Sequence, residues 1–489
     1  KGHDDSLQSL LHHGIPTERW SREALHDAIV NGQANVVSTL LDYDINIESS
    51  TDLPLVVAVG AGDMKVVAVL VQKGVDVNAG AIKQGTALTV AAETGKLEIL
   101  RYLLDHGAEI NKRGKNLNTA LMAAVEQGNE EVLQILFEHN ADPNQVNRDG
   151  DTVLMKAAEK RDNKLVASLL EHGADPSIAD RFGYTPLLRW AMQGENDIVL
   201  LLLEHDVDPN VDVHATDKLT ALMLAAKGGH QETVASLLKY KADPNIVSGK
   251  NSALSIAAQY RHISVVQTLL ENGADPNVRI NEHDTPLNVF TKTHSNDNDG
   301  IIKLLVAHGA EFNTALMEAA RQDRLRILNS LIAAGADPNS QDSVGKTALY
   351  YAAGNSPDAK MLNLLLAAGA DPDIQDNGGD TALHNAARRG YTSIVTLLME
   401  HGANPDLMNN RNETPFMNAI IYRKLDTVSA LVNLGADINN YSANVYKRND
   451  WEKLCTFPQL LDRSKCNTVN RQDHDNIYDA DYYVYDYDF

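Results

Sequence analysis

The chain has 489 residues, 66 acidic against 43 basic side chains, a formal net charge of −23 and only 5% aromatic residues. So acidic a surface repels a phosphate backbone over most of its area, which excludes nucleic acid as the main ligand and leaves room only for local basic patches. No apolar run reaches the roughly 18 residues of a membrane span, and Lys1-Gly2-His3-Asp4-Asp5 is no signal peptide.

Without an initiator methionine, the chain reads as a fragment or a processed form. Residues 6–15 read as a half-unit, so residues 1–16 are expected to form an N-terminal cap. From residue 17 onward the chain is a repeat. Ala141-Asp142-Pro143-Asn144 returns as Ala174-Asp175-Pro176-Ser177, Val207-Asp208-Pro209-Asn210, Ala242-Asp243-Pro244-Asn245, Ala274-Asp275-Pro276-Asn277, Ala336-Asp337-Pro338-Asn339 and Ala370-Asp371-Pro372-Asp373. The period is about 33 residues, and roughly thirteen copies fill residues 17–440.

One copy shows the local structure. Thr381-Ala382-Leu383-His384-Asn385-Ala386-Ala387 predicts a short helix with Thr381 as its N-cap and alanines on the face that approaches a neighbour. The run from Ile394 to His401 has apolar residues at i, i+1, i+3 and i+4 and stops at Gly402, which permits a left-handed C-cap. Asp-Pro-Asn cannot continue a helix. Turn sequences such as Arg148-Asp149-Gly150-Asp151 and Arg181-Phe182-Gly183-Tyr184 predict a projecting hairpin before the next copy.

Four irregularities interrupt the array. Arg189-Trp190 places an indole where alanine is usual, which implies local repacking of the core. Thr293 to Gly300 enlarges the turn between two helices by about three residues relative to the template. Between Asn313 and Thr314 the hairpin residues are missing, so a stunted finger and a local bend or notch are expected around residues 290–316. Gly354-Asn355-Ser356-Pro357-Asp358 is slightly lengthened.

After residue 440 the repeat is abandoned. Trp451, Leu454, Leu460 and Leu461 suit a capping segment over residues 441–470, because the end of a stack needs its apolar side covered. Residues 471–489 interleave aspartates with Tyr478, Tyr482, Tyr483, Tyr485 and Tyr487, a composition expected to be disordered unless docked. These tyrosines are candidates for docking or for phosphorylation. The two cysteines, Cys455 and Cys466, lie outside the array and would pair in a small loop only in an oxidising compartment. Sulfation of the tail tyrosines, the sequon Asn412-Glu413-Thr414 and the dibasic Lys447-Arg448 would matter in that same secretory setting; otherwise the chain reads as cytoplasmic or nuclear.

The brick resembles the ankyrin repeat, most closely in Asp380-Thr381-Ala382-Leu383-His384-Asn385-Ala386-Ala387 with Leu397 to Ala403, in Thr185-Pro186-Leu187 and in Thr414-Pro415-Phe416. The resemblance implies an all-α solenoid, each repeat a helix-turn-helix with a β-hairpin finger. It also implies a groove, lined by finger tips and first helices, that holds a protein or peptide. On that template the partner-binding candidates are Arg181, Phe182, Tyr184, Tyr260, Arg321, Tyr350, Tyr351, Arg388, Arg389 and Tyr422, since aromatic and arginine side chains dominate interface energetics. The variable first-helix pairs drift from acidic (Glu93-Thr94, Glu126-Gln127) to basic (Arg388-Arg389). The acidic tail is therefore a candidate internal competitor docking around Arg321, Arg388, Arg389 and Arg423.

Catalysis is not expected. The sequence carries no CxxC pair, HExxH, P-loop or glycine-rich nucleotide fingerprint. Ser295 to Gly300 begins like an EF-hand loop but has Ser295 at the first ligand position and Val306 where a bidentate glutamate is needed, so no metal and no cofactor are expected. His106, His139, His172, His205, His308 and His401 share one slot of the repeat. The function expected is a non-catalytic interaction scaffold. The alternative is the recruitment portion of a larger enzyme, toxin or pathogen effector.

Overall fold

The computed structural model describes residues 21–43, 53–81, 85–212, 218–281, 284–292 and 299–437. The N-terminal half-unit, most of the insertion after Thr293, Cys455, Cys466, the capping segment and the tyrosine tail lie outside the described residues. The chain divides into two compact units, residues 1–274 and 275–489.

The first unit stacks eight helix pairs: α1 (Ser21–Val30) with α2 (Ala34–Leu41), α3 (Pro54–Ala61) with α4 (Met64–Gln72), α5 (Ala87–Thr94) with α6 (Leu97–Asp105), and α7 (Ala120–Gln127) with α8 (Glu130–Glu138). It continues with α9 (Val153–Glu159) and α10 (Asn163–Glu171), α11 (Pro186–Gln193) and α12 (Asn196–Glu204), α13 (Ala221–Gly228) and α14 (Gln231–Lys239), and α15 (Ala253–Gln259) and α16 (Ile263–Glu271). The second unit stacks five: α17 (Pro286–Lys292) with α18 (Asp299–Ala307), α19 (Asn313–Arg321) with α20 (Leu325–Ala333), α21 (Ala348–Asn355) with α22 (Lys360–Ala367), α23 (Ala382–Arg389) with α24 (Thr392–Glu400), and α25 (Pro415–Ile421) with α26 (Leu425–Asn433). Within each unit, first helices pack on first helices of the neighbouring pair and second helices on second helices, as α5 does on α7, α12 on α14 and α23 on α25. The pairs are numbered 1–13 below in chain order.

Each helix is delimited by its own sequence. Thr119, Thr152, Thr185, Thr220, Thr347, Thr381 and Thr414 accept a hydrogen bond from the backbone N–H three residues on, satisfying one orphan donor of the first turn. At the far end of the second helices, His106, His139, His172, His205, His308 and His401 direct Nδ1 at the carbonyl four residues back, at 2.7–2.9 Å. A carbonyl only accepts, so Nδ1 carries the proton; the recurrent histidine is a C-terminal cap. The core is thin and aliphatic: Ala386, Ala387, Ile394, Val395 and Leu398 are buried in pair 12, as are Ala157, Leu154, Val166 and Leu169 in pair 5. Trp190 is fully buried, in keeping with local repacking, and its indole N–H has no partner among the described residues.

The Asp-Pro-Asn signature fastens one pair to the next. Its aspartate accepts from the asparagine N–H two residues on, as Asp142 does from Asn144 at 2.9 Å, which closes the turn. The asparagine then reaches into the following pair. Asn144 donates to Gly173 O at 3.0 Å and accepts from Asp175 N at 2.7 Å, and Asn339 donates to Gly369 O at 3.1 Å and accepts from Asp371 N at 2.7 Å. Asp373 and Asp406 keep only the accepting half, from Asn404 N and Asp437 N. Ser177 turns back to its own Asp175 at 2.6 Å, and Asp208 N–H makes no hydrogen bond among the described residues. The seam between pairs 5 and 6 therefore lacks this stitch.

The fingers are tighter than hairpins. Among the described residues only Gly80–Ala81 (β1) and Gly85–Thr86 (β2) form a two-stranded ribbon. Most of the others are five-residue turns closed by an Asx side chain. Asp342 Oδ1 accepts from Val344 N at 3.0 Å and Lys346 N at 2.9 Å, Asp376 Oδ1 from Gly378 N and Asp380 N, and Asn147, Asp180 and Asn409 repeat the pattern. A side-chain acceptor that satisfies both inner amides leaves little for a ladder to bond.

Four of the Asx-closed fingers also donate to their predecessors. The amide after the Asx residue bonds a tip carbonyl one finger back: Arg148 N to Asn116 O at 2.9 Å, Asn377 N to Val344 O at 3.0 Å, Asn410 N to Gly378 O at 2.9 Å. Gly345 shows how close the approach is. Its φ is 77°, and a Cβ there would lie 2.7 Å from Asn377 N, so both conformation and space require glycine.

Candidate functional site

In the first unit, Arg181 and Phe182 sit together at a finger tip, the guanidinium 4.7 Å from the ring centroid and 3.0 Å from Asp149; Phe182 is 59% exposed and Tyr184 half-buried. Beside this finger, Arg189 of α11 bonds Asp180 at 2.6 Å, Asp151 at 3.0 Å and Glu159 at 3.3 Å, while Lys156 of α9 reaches Asp151 at 3.1 Å. Burial alone would raise the Asp151 carboxyl, but the Lys156 hydrogen bond and the Arg189 and Lys156 charges hold it below its usual range. Tyr260 is 48% exposed at the end of α15, with Lys227 Nζ 5.9 Å from its ring centroid.

The second unit brings more of the candidates together. Pair 10 has no finger: α19 starts at Asn313, directly after Ala310-Glu311-Phe312. The stack remains fastened around the gap, with Asn277 bonding Gly309 O at 2.8 Å and Glu311 N at 2.7 Å, and Asn313 accepting from Asp337 N at 3.3 Å. What opens is a cavity of about 350 Å³. The finger of pair 9 (Arg279, Asp284), the first helices α17 and α19 (Asn288, Lys292, Met317, Glu318, Arg321), the finger of pair 11 (Asp342, Ser343) and Tyr351 line it. A notch was expected near residues 290–316; the cavity reaches further, to Tyr351.

Two sequence candidates, Arg321 and Tyr351, face this cavity. Arg321 holds Glu318 of its own helix in a two-pronged pair at 2.7 and 2.9 Å, which raises its pKa further and fixes the guanidinium plane. The Tyr351 hydroxyl donates to Asp342 at 2.7 Å; burial and that carboxylate push the phenol well above its ordinary range. Lys346 Nζ lies 4.8 Å from the Tyr350 ring centroid and 5.9 Å from that of Tyr351.

Tyr350 departs from the expectation of a partner contact. It is only 5% exposed, and its hydroxyl accepts from Arg388 at 3.1 Å. The physical reason is register: Tyr350 stands three residues after Thr347, as buried His384 stands three after Thr381. Arg388 is likewise engaged, with Asp380 at 3.4 Å and Asn385 at 2.9 Å besides Tyr350. Arg389 and Arg423 are exposed and make no side-chain bond among the described residues, and Tyr422, next to Arg423 in the sequence of pair 13, is 47% exposed. Thus, of the arginines expected to receive the acidic tail, Arg389 and Arg423 are the two without a local partner.

Lys292, Glu318, Asp342 and Lys346 were missed by sequence reasoning. Repeat register could have found Lys292, which occupies the slot of Arg388, eight residues after a finger's closing aspartate. His384 is a buried structural residue: Nδ1 accepts from Thr381 N at 3.1 Å and Nε2 donates to Glu413 O at 3.0 Å. Burial lowers its pKa, because the charged imidazolium loses its hydration there.

Paired helices capped by threonine, stitched by asparagine and decorated with Asx-closed fingers define a helical-repeat module whose variable side chains lie on first helices and fingers. A family model described as "Ankyrin repeats (3 copies)" matches residues 1–81, 78–147, 141–213, 207–280, 291–376 and 349–442. The chain belongs to the ankyrin repeat family, whose repeats are generally protein–protein interaction modules. A search of the curated proteins returned no match. No helix among the described residues is long and apolar enough to cross a membrane.

Proposed function

We propose that this chain is a non-catalytic protein-binding module, and that in its second unit a segment of the partner lies along α17, α19 and α21, between the fingers of pairs 9 and 11. The observation that carries this reading is the cavity of about 350 Å³ at pair 10, where the finger is missing and first-helix side chains line the opening. Its lining mixes two arginines, a lysine, four carboxylates, a tyrosine and a methionine, a surface suited to polar chain with a few anchored side chains rather than to an apolar small molecule.

The test compares proteins that co-purify with the intact chain and with two notch variants, Ser343→Trp, which fills the gap, and Arg321→Glu, which inverts its charge. Lys164→Glu, on α10 of the first unit, is the control. Circular dichroism establishes that each variant folds. A partner lost from both notch variants and kept by the control supports the reading. Identical sets from all four proteins would overturn it.

A further inference from the structure

We infer that the gap at pair 10 receives an acidic reverse turn from a partner protein, of the form Asx-x-x-Gly-Asp, which takes the place of the absent finger. This rests on the reading above and specifies the chemistry of the captured segment. Two groups around the gap show what an occupant supplies.

The first is a backbone amide. In every Asx finger with a finger before it, the amide after the Asx residue gives its proton to a tip carbonyl one finger back, as at Arg148, Asn377 and Asn410. In the finger of pair 11 the equivalent residue is Ser343. Its carbonyl accepts from Asn377 at 3.2 Å, but its N–H makes no hydrogen bond among the described residues, and it lines the cavity. The finger that would have offered the carbonyl is the missing one.

The second is a guanidinium. In pairs 9 and 12 the first-helix cation bridges the aspartate that closes its own finger, eight residues earlier: Lys292 to Asp284 at 2.6 Å and Arg388 to Asp380 at 3.4 Å. Arg321 holds the same slot in pair 10. Eight residues before it stands Asn313, which fastens pair 10 to pair 11. The closing carboxylate is absent, and Arg321 pairs within its own helix instead.

An incoming turn therefore needs a tip carbonyl for Ser343 and a trailing carboxylate for Arg321, with glycine at its fourth position to approach the neighbouring finger as Gly345 does. The fingers of this chain are the template for such a ligand, since Asp376-Asn377-Gly378-Gly379-Asp380 meets all three demands within the stack.

The probe is a fluorescein-labelled peptide with the sequence of residues 374–381, closed by a disulfide between added terminal cysteines and titrated into the full chain by anisotropy. Saturable binding is expected. Ser343→Pro removes the amide proton at a turn position that accepts proline, and Arg321→Ala removes the cation; each should weaken binding about tenfold, as should a peptide ending in Asn rather than Asp. Inserting the seven residues Ile-Gln-Asp-Asn-Gly-Gly-Asp, as they stand at 374–380, between Asn313 and Thr314 restores the finger and should abolish binding. Equal affinity for the parent and these variants, or no binding to the parent at about 1 mM peptide, overturns the inference. If the peptide fails while Ser343→Trp still loses a co-purifying protein, the notch remains the docking place and only the acidic turn is wrong. If both fail, both readings fall.

Discussion

Ser177→Asn should stabilise the seam between pairs 5 and 6. At the preceding seam Asn144 makes two hydrogen bonds to the next pair, to Gly173 O at 3.0 Å and from Asp175 N at 2.7 Å. The equivalent groups one period later are Asp206 O and Asp208 N, neither of which is hydrogen-bonded among the described residues. An intramolecular hydrogen bond nets about 1 kcal/mol once water is released from both groups, so two partly exposed bonds contribute about 1.5 kcal/mol. The converse change, Asn144→Asp, keeps the acceptor and loses the donor, as Asp373 does naturally, and should cost about 1 kcal/mol.

Buried Trp190 in α11 lies in the pair just past the Ser177 seam and reports its opening. With Trp20 and Trp451 replaced by phenylalanine, a urea titration followed by tryptophan fluorescence reads this region alone. A slope of about 2 kcal/mol per molar converts 1.5 kcal/mol into an upward midpoint shift of about 0.7 M. Amide exchange at Asp208 should slow in parallel. An unchanged midpoint for Ser177→Asn together with an unchanged midpoint for Asn144→Asp would refute the role given to the asparagine.

Two further outcomes test the charged and titrating groups. Arg189→Met removes the cation shared by Asp151, Asp180 and Glu159, leaving nearly buried Asp180 without its cation and Asp151 with Lys156 alone, a cost of about 3 kcal/mol at neutral pH. Because the partners hold the Asp151 carboxyl low in the folded state, the stabilisation they give it is present above its unfolded pKa near 4 and lost as pH falls through the folded value. The gap between parent and Arg189→Met in urea midpoint should therefore narrow below about pH 4, and a gap independent of pH refutes the assignment. His384 has a folded pKa lowered by burial, so its contribution is present above about pH 6.5 and lost as pH falls through the folded value, where the unfolded chain takes a proton that the folded site refuses. His384→Gln, with a carbonyl for Thr381 N–H and an amide for Glu413 O, should flatten thermal stability between pH 7 and 5 relative to the parent; parallel profiles would refute this.

Much of the fold was legible because its determinants are local. Thr381 caps within three residues and Gly402 ends its helix with a positive φ of 85°. The stunted finger after Asn313 could be counted directly from the missing residues. The strand content of the fingers was not legible, since it depends on whether Asp342 or Asn409 captures the turn amides before a ladder forms. Nor was the state of the charges. Arg388 and Arg389 are adjacent, yet one is locked onto Asp380, Tyr350 and Asn385 and the other is free of such contacts. One residue of rotation on a short helix separates those environments, and composition does not report it.

The two fastenings of the array are physically separate. Cohesion between pairs comes from helix packing and from asparagines such as Asn277 and Asn313, which lie before the finger rather than in it. Pair 10 shows the result: its finger has been deleted while the asparagine bonds on both sides persist. A finger is thus an optional insertion in a structure that closes without it, so its length and sequence can drift, or be grafted, without reopening the question of whether the chain folds. Changes in what the module recognises are accordingly expected to accumulate as insertions and deletions at fingers, while the residues that hold neighbouring pairs together stay fixed.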